Sequence, residues 1–154
     1  MPVYREKLRP SAWLFIVTLL LVPAGILVLA PIDLTVGIVT GIVLYLAVAA
    51  ALALTAPTVE VTADGVLRAD RAHIELRHLG EAVPADGAAA RVEKGTGLDA
   101  RAFLVIRGWV HPVVRVPILD PDDPAPYWLI STRHPKELAA AINGSRRPEV
   151  DGGA

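Results

Sequence analysis

Two uncharged stretches dominate the hydrophobic pattern of this chain. Residues 10–32 and 34–59 carry no Asp, Glu, Lys or Arg, and Asp33 is the single charge between Arg9 and Glu60. A bilayer crossing takes about 20 apolar residues rising about 1.5 Å each, so each stretch is long enough. The spans are read as 11–30, "SAWLFIVTLLLVPAGILVLA", and 34–56, "LTVGIVTGIVLYLAVAAALALTA". The three residues Pro31, Ile32 and Asp33 join them, which predicts an antiparallel helical hairpin. Pro31 has no N–H with which to continue the first helix. Asp33 is placed to cap the second by accepting from its unsatisfied N–H groups.

From residue 57 the period changes from helix to strand. Val59 and Val61 alternate with Glu60 and Thr62, "ADG" at 63–65 marks a tight turn, and Val66–Ala69 follows as a second short strand. Ala72, Ile74 and Leu76 then alternate with Arg71, His73, Glu75 and Arg77, giving a third strand with one wet face. Glycines and Pro84 break up residues 80–99, leaving room for one short element at Ala88–Glu93. The apolar run Arg101–Gly108 predicts a well-buried strand. Residues 109–119 predict another, with Val110, Val114, Val116 and Ile118 inward, and Pro112 and Pro117 arguing for an edge or irregular pairing. Pro126–Thr132 is the last strand.

A helix at 135–143 closes this part of the chain. Pro135 suits the first helical position, and Ser131, Thr132 or His134 is a candidate cap. Glu137 complements the dipole in the first turn. Leu138, Ala141 and Ile142 form the apolar face, with Asn143-Gly144 as the stop signal. The tail 145–154 reads as disordered. The predicted organisation is a basic N-terminus at 1–10, a two-span hairpin at 11–56 and a small α+β domain at 57–144. In that domain, short antiparallel strands form a curved sheet or partial barrel closed by the C-terminal helix, an order shared by pleckstrin-homology-like folds.

Composition and charge narrow the picture. Mean hydropathy is +0.48, and charged residues make up 20% of the 154. Arg5, Lys7 and Arg9 precede the first span, the turn carries no base, and Arg68 and Arg71 follow the second span. The positive-inside rule then predicts a two-pass protein of the inner (plasma) membrane with both termini cytoplasmic. A secretory leader cut after "VLA" at 28–30 is disfavoured by Pro31 and by an apolar core longer than a leader needs. Beyond residue 56 there are 12 basic and 14 acidic residues, which is not the basic footprint of a nucleic-acid binder. The absence of cysteine excludes disulfides and thiol chemistry.

The segment "YREKLRPSAW" at 4–13, and above all "DPDDPAPYWLISTRHP" at 120–135 within 99–142, resembles actinobacterial membrane proteins grouped as the domain of unknown function 3093 family. The resemblance implies two spans and a cytoplasmic domain over nearly the whole chain. It supplies no activity, cofactor or catalytic residue.

Candidate chemistry is confined to a few constellations. Asp120, Asp122 and Asp123 are carboxylates of the type that bind Ca²⁺ or Mg²⁺, but Pro121 and Pro124 stiffen the loop and no glycine turn is present. A solvated turn, with one aspartate bonding loop N–H groups or pairing with an arginine, is the simpler reading, and no metal is expected. Ser131, His134 and Asp120 make a nucleophilic triad only on paper, without a nucleophile elbow, so no catalytic residue is assigned. His73 and His111 stand alone. Arg107, Trp109, Arg115, Tyr127 and Arg133, with the three aspartates, are the candidate ligand- or partner-binding set. The competing reading puts Trp128 in the core and pairs Arg115 or Arg133 with the aspartate loop. Gly37 and Gly41 form a GxxxG packing motif, serving either a homodimer or the first span.

The expectation is a non-enzymatic, cofactor-free membrane protein, integral in the lipid bilayer. Its cytoplasmic domain would bind or scaffold a protein partner or an anionic ligand, and would not bind nucleic acid. The alternative is an accessory subunit of a larger membrane complex, associating through the hairpin.

Overall fold

The structure is a computed structural model that describes residues 1–146; most of the tail expected to be disordered lies outside the described residues. The chain divides into two compact units. One is Arg9–Ala56, and the other combines Met1–Leu8 with the chain from Pro57 onward.

The first unit holds three helices, α1 (Ala12–Thr18), α2 (Leu21–Leu29) and α3 (Leu34–Leu54). Sequence predicts one helix over 11–30, and the structure divides it at Leu19–Leu20. The cause is Pro23, whose ring excludes the carbonyl four residues back, that of Leu19. The Leu19 carbonyl accepts from Val22 N at 3.1 Å, and Leu20 N turns back to Val17 O at 3.1 Å. The segment Ala12–Leu29 and α3 are nonetheless each long and apolar enough to cross a membrane. The cap expected at Asp33 is present, with Oδ1 accepting from Thr35 N at 2.7 Å and Val36 N at 3.1 Å. Gly37 and Gly41 are the only buried residues of α3, because they lie against α2. A Cβ on Gly41 would sit 2.7 Å from Val22 O, and one on Gly25 would sit 2.8 Å from Gly41 Cα. Ile16, Leu20, Leu27, Val28, Val39, Val43 and Leu46 are exposed, so the helices present apolar side chains outward.

The second unit is built on two four-stranded sheets. Strands β1 (Pro2–Lys7), β2 (Thr58–Thr62), β3 (Val66–Ala69) and β4 (Ala72–Glu75) form an antiparallel sheet in that order. Strands β5 (Val83–Ala85), β6 (Phe103–Val105), β7 (Val113–Pro117) and β8 (Tyr127–Ser131) form the other in the order β5-β7-β8-β6, with β6 parallel to β8. Helix α4 (Gly87–Lys94) follows β5, and α5 (Pro135–Ser145) ends the described chain. Among the described residues no closed barrel forms. The expected single curved sheet is replaced by two sheets, with α5 packed on β1 and β2 of one and on β5 and β7 of the other.

The main core lies among these elements. Val59, Val61 and Leu67 come from the first sheet, Val114, Val116, Trp128 and Ile130 from the second, and Leu138 and Ile142 from α5. A smaller cluster of Ala85, Ala90, Val113, Tyr127 and Leu129 covers the opposite face of the second sheet. With both faces covered, β8 is buried at every position, as its unbroken apolar run requires.

Several expectations are corrected. The basic N-terminus at 1–10 contains a strand that the sequence does not predict: β1 pairs with β2, from Lys7↔Thr58 to Tyr4↔Val61. The run 101–108 yields only the three-residue edge strand β6, with Phe103 and Leu104 exposed. β7 is an interior strand, and its prolines sit at or just before its ends, where a missing N–H costs the ladder little. Helix α5 runs through Asn143-Gly144 to Ser145. Asn143 serves instead as a tie, accepting from Ala82 N at 2.8 Å and donating to Ala82 O at 3.0 Å.

Candidate functional site

The binding set read from the sequence is divided among separate structural ties. Arg115 lies with its guanidinium carbon 4.0 Å from the Tyr127 ring centroid, and its Nη1 is 3.3 Å from Glu93 Oε2 on α4. The buried Tyr127 hydroxyl accepts from Asp99 N at 2.8 Å. Asp99 in turn pairs with Arg101 at 3.2 Å, and that hydrogen bond holds the Asp99 carboxyl below its usual range. Tyr127 and Arg115 therefore fasten the 97–101 loop and α4 onto the second sheet.

Arg107 and Trp109 face the first sheet. Arg107 Nη2 lies 3.8 Å from Asp70 Oδ2, and Trp109 Nε1 donates to Leu8 O at 3.4 Å. Arg133 belongs to a different knot, centred on Glu6 of β1. The Glu6 carboxylate accepts from Tyr4 Oη at 2.7 Å, from Thr132 Oγ1 at 2.5 Å and from Arg133 N at 3.0 Å. Thr132 Oγ1 also accepts from His134 N at 3.0 Å. Alternation along β1 turns Tyr4 and Glu6 inward, where they meet the joint between β8 and α5. Burial, reinforced by the neighbouring Glu6 carboxylate, pushes the Tyr4 hydroxyl well above the usual phenol range, against the lowering effect of the Thr132 bond.

The aspartate loop closes mainly on itself. Asp120 Oδ1 accepts from Asp122 N at 3.0 Å, and Asp123 Oδ1 accepts from Ala125 N at 2.8 Å. Among the described residues the ion pair of Arg115 is with Glu93 and that of Arg133 is with Glu6, where the alternative read from sequence expects the aspartate loop. The side-chain partner is His78, whose Nδ1 lies 3.5 Å from Asp120 Oδ2. Asp122 is exposed. Among the described residues no metal-ligating cluster forms. Ser131, His134 and Asp120 do not assemble as a triad. Ser131 Oγ accepts from Arg107 N at 3.1 Å, and His134 Nδ1 lies 3.8 Å from Glu137. His134 occupies the N-cap position without a side-chain cap bond.

Other groups remain open to solvent. The outward face of the first sheet carries Arg5 and Lys7 on β1, Glu60 on β2, Arg68 on β3, and His73 and Glu75 on β4. Strand register places Arg5, Glu60, Arg68 and His73 in one row across the sheet. Arg68, Arg71 and His73, with Asp70 and Ala72, line an open dent of about 270 Å³. A second open groove, of about 430 Å³, lies between Pro84–Asp86 and His134–Glu137. Sequence reasoning passed over the basic sheet face. The signal available was period 2: Arg5 and Lys7, like Arg71 and His73, occupy the polar positions of alternating segments.

A family model described as Protein of unknown function (DUF3093) matches residues 3–142. No curated protein and no solved structure matches the chain.

Proposed function

This chain belongs to the DUF3093 family of proteins of unknown function, and we propose on that premise that it is a membrane-anchored binding module. Its two apolar segments are the anchor, and the two-sheet unit is the part that recognises a ligand. Pairing of β1 with β2 supports an arrangement in which both ends of a two-span hairpin leave the membrane on one side. The basic flanks support that side being the cytoplasm. The unit works by recruitment, without chemistry of its own.

One observation carries the choice of ligand class. Arg5, Lys7, Arg68 and Arg71 are exposed on or beside one sheet face, and among the described residues none of them has a carboxylate within 4.0 Å. Guanidinium and ammonium groups held outward in this way favour an anionic ligand or an acidic protein surface. The binding set read from the sequence is a poorer choice, since Arg115 and Tyr127 are engaged with each other. Gly37 and Gly41 are likewise occupied by α2, which leaves the accessory-subunit reading without the helix face it relied on.

The test is affinity purification of the full chain from native membranes, beside Arg68→Gln/Arg71→Gln. The proposal expects an anionic species or acidic partner with the parent chain and its loss from the variant, at an unchanged melting temperature. Equal recovery from both chains counts against it.

A further inference from the structure

We infer that the outward face of the first sheet docks on the anionic phosphate headgroups of the bilayer in which the chain is anchored. The inference rests on the membrane-anchored reading above and names the ligand.

Three observations carry it. First, the cations form a surface, not a point. Strands lie about 4.8 Å apart, so the row from Arg5 to His73, crossing four strands, extends about 14 Å. Lys7 stands one position pair along β1 and Arg71 sits at the β3–β4 turn. A broad, shallow array suits many headgroups better than one enclosed ligand, while the dent at Arg68, Arg71 and His73 has room for a single phosphate.

Second, the carboxylates beside that dent are held from elsewhere. Asp70 lies 3.8 Å from Arg107, and Glu75 is paired with Arg77 at 2.7 Å. Asp70 also takes a positive φ of 59° in the tight turn between β3 and β4, while its N–H donates to Thr58 O at 2.9 Å. The turn is therefore held by Thr58 and Arg107, and Arg71 is left outward. Glu60 is the single carboxylate of the row; it stands in register between Arg5 and Arg68 and has no carboxylate–cation contact within 4.0 Å among the described residues.

Third, the tether is short. Residues 8–11 alone separate β1 from α1, and residues 55–57 alone separate α3 from β2. Both connections are therefore only three or four residues long. A basic face on so short a tether meets headgroups at high effective concentration, and each Lys or Arg near an anionic surface strengthens attachment about fivefold.

The experiment is hydrogen exchange on the full chain in nanodiscs of phosphatidylcholine, with and without phosphatidylglycerol. The inference expects amides of Val66–Glu75 to exchange several-fold more slowly with phosphatidylglycerol present. Arg68→Gln/Arg71→Gln should remove that slowing while matching the parent in phosphatidylcholine alone, which shows that the variant is folded. High salt should remove it as well. Equal exchange in the two lipids overturns the inference, and so does full slowing by inorganic phosphate in phosphatidylcholine discs, which marks a small-anion site. Carbonate extraction of native membranes separates the two readings. Release of the chain by carbonate defeats the anchor; retention together with equal exchange defeats the headgroup inference alone.

Discussion

Glu6 gathers three donors that have few other places to go. Its side chain is 11% exposed and takes the Tyr4 hydroxyl, the Thr132 hydroxyl and the Arg133 N–H. Replacing it with alanine leaves those groups short of an acceptor, so Glu6→Ala is expected to lose about 3 kcal/mol of domain stability, with Glu6→Gln losing less because it keeps an acceptor oxygen. Denaturant titration of the purified chain checks this. Tyr4 adds a pH signature. Its hydroxyl holds its proton more tightly folded than unfolded, so the contribution is fully present below the unfolded pKa of about 10 and declines as the pH rises beyond it. The parent chain should therefore lose stability relative to Tyr4→Phe above about pH 10. Parallel melting curves for the two proteins across that range would show that Tyr4 is not coupled to folding. Neither role was legible from residue type, since an acidic residue in a basic N-terminal segment reads as solvated.

Elements were legible where one rule governed them. β2 and β3 follow from alternation plus a tight turn, and α3 follows from its apolar run and the Asp33 cap. β1 was hidden because its inward face is Tyr4 and Glu6, polar groups that satisfy one another only after β8 and α5 are in place. β6 is shorter than its apolar run predicts: an apolar run marks burial by something, and at Phe103 that something is one-sided contact with the Trp128 ring, 4.7 Å between centroids. The glycine motif of α3 gave a packing face without a partner, and geometry now supplies α2. Gly41→Ala is accordingly expected to destabilise the helix pair by about 1–3 kcal/mol, since Val22 backbone cannot yield to a new methyl group. Unfolding in detergent should give the same loss at every protein concentration. A loss that shrinks as concentration rises would instead place Gly41 in a contact between copies.

At the scale of the whole molecule, the helices are an insertion in a β-hairpin. Lys7 pairs with Thr58, and Leu8 N donates to Pro57 O at 2.9 Å. Everything from Arg9 to Ala56 thus forms, topologically, the loop between two adjacent strands. A linear reading sets the domain boundary at residue 57, because it cannot see that a strand on the far side of two apolar segments returns to the same sheet. The arrangement makes a sharp prediction about what folds without the apolar helices. A fragment of residues 57–146 leaves β2 as a bare edge, uncovers the inward face that Leu8 fills, and deprives Thr132 and Arg133 of Glu6. It is expected to aggregate or to unfold without a cooperative transition. Joining Leu8 to Pro57 through a two-residue Asn-Gly turn, the geometry that closes adjacent antiparallel strands, restores all three. That chimera should be a soluble monomer with one sharp thermal transition, and Glu6→Ala should lower its midpoint as it does in the parent chain. If fragment 57–146 folds as stably as the chimera, β1 is an accessory strand and the insertion topology carries no stability. If the chimera fails while the parent chain folds in detergent, the helices contribute to the sheet unit beyond closing its hairpin.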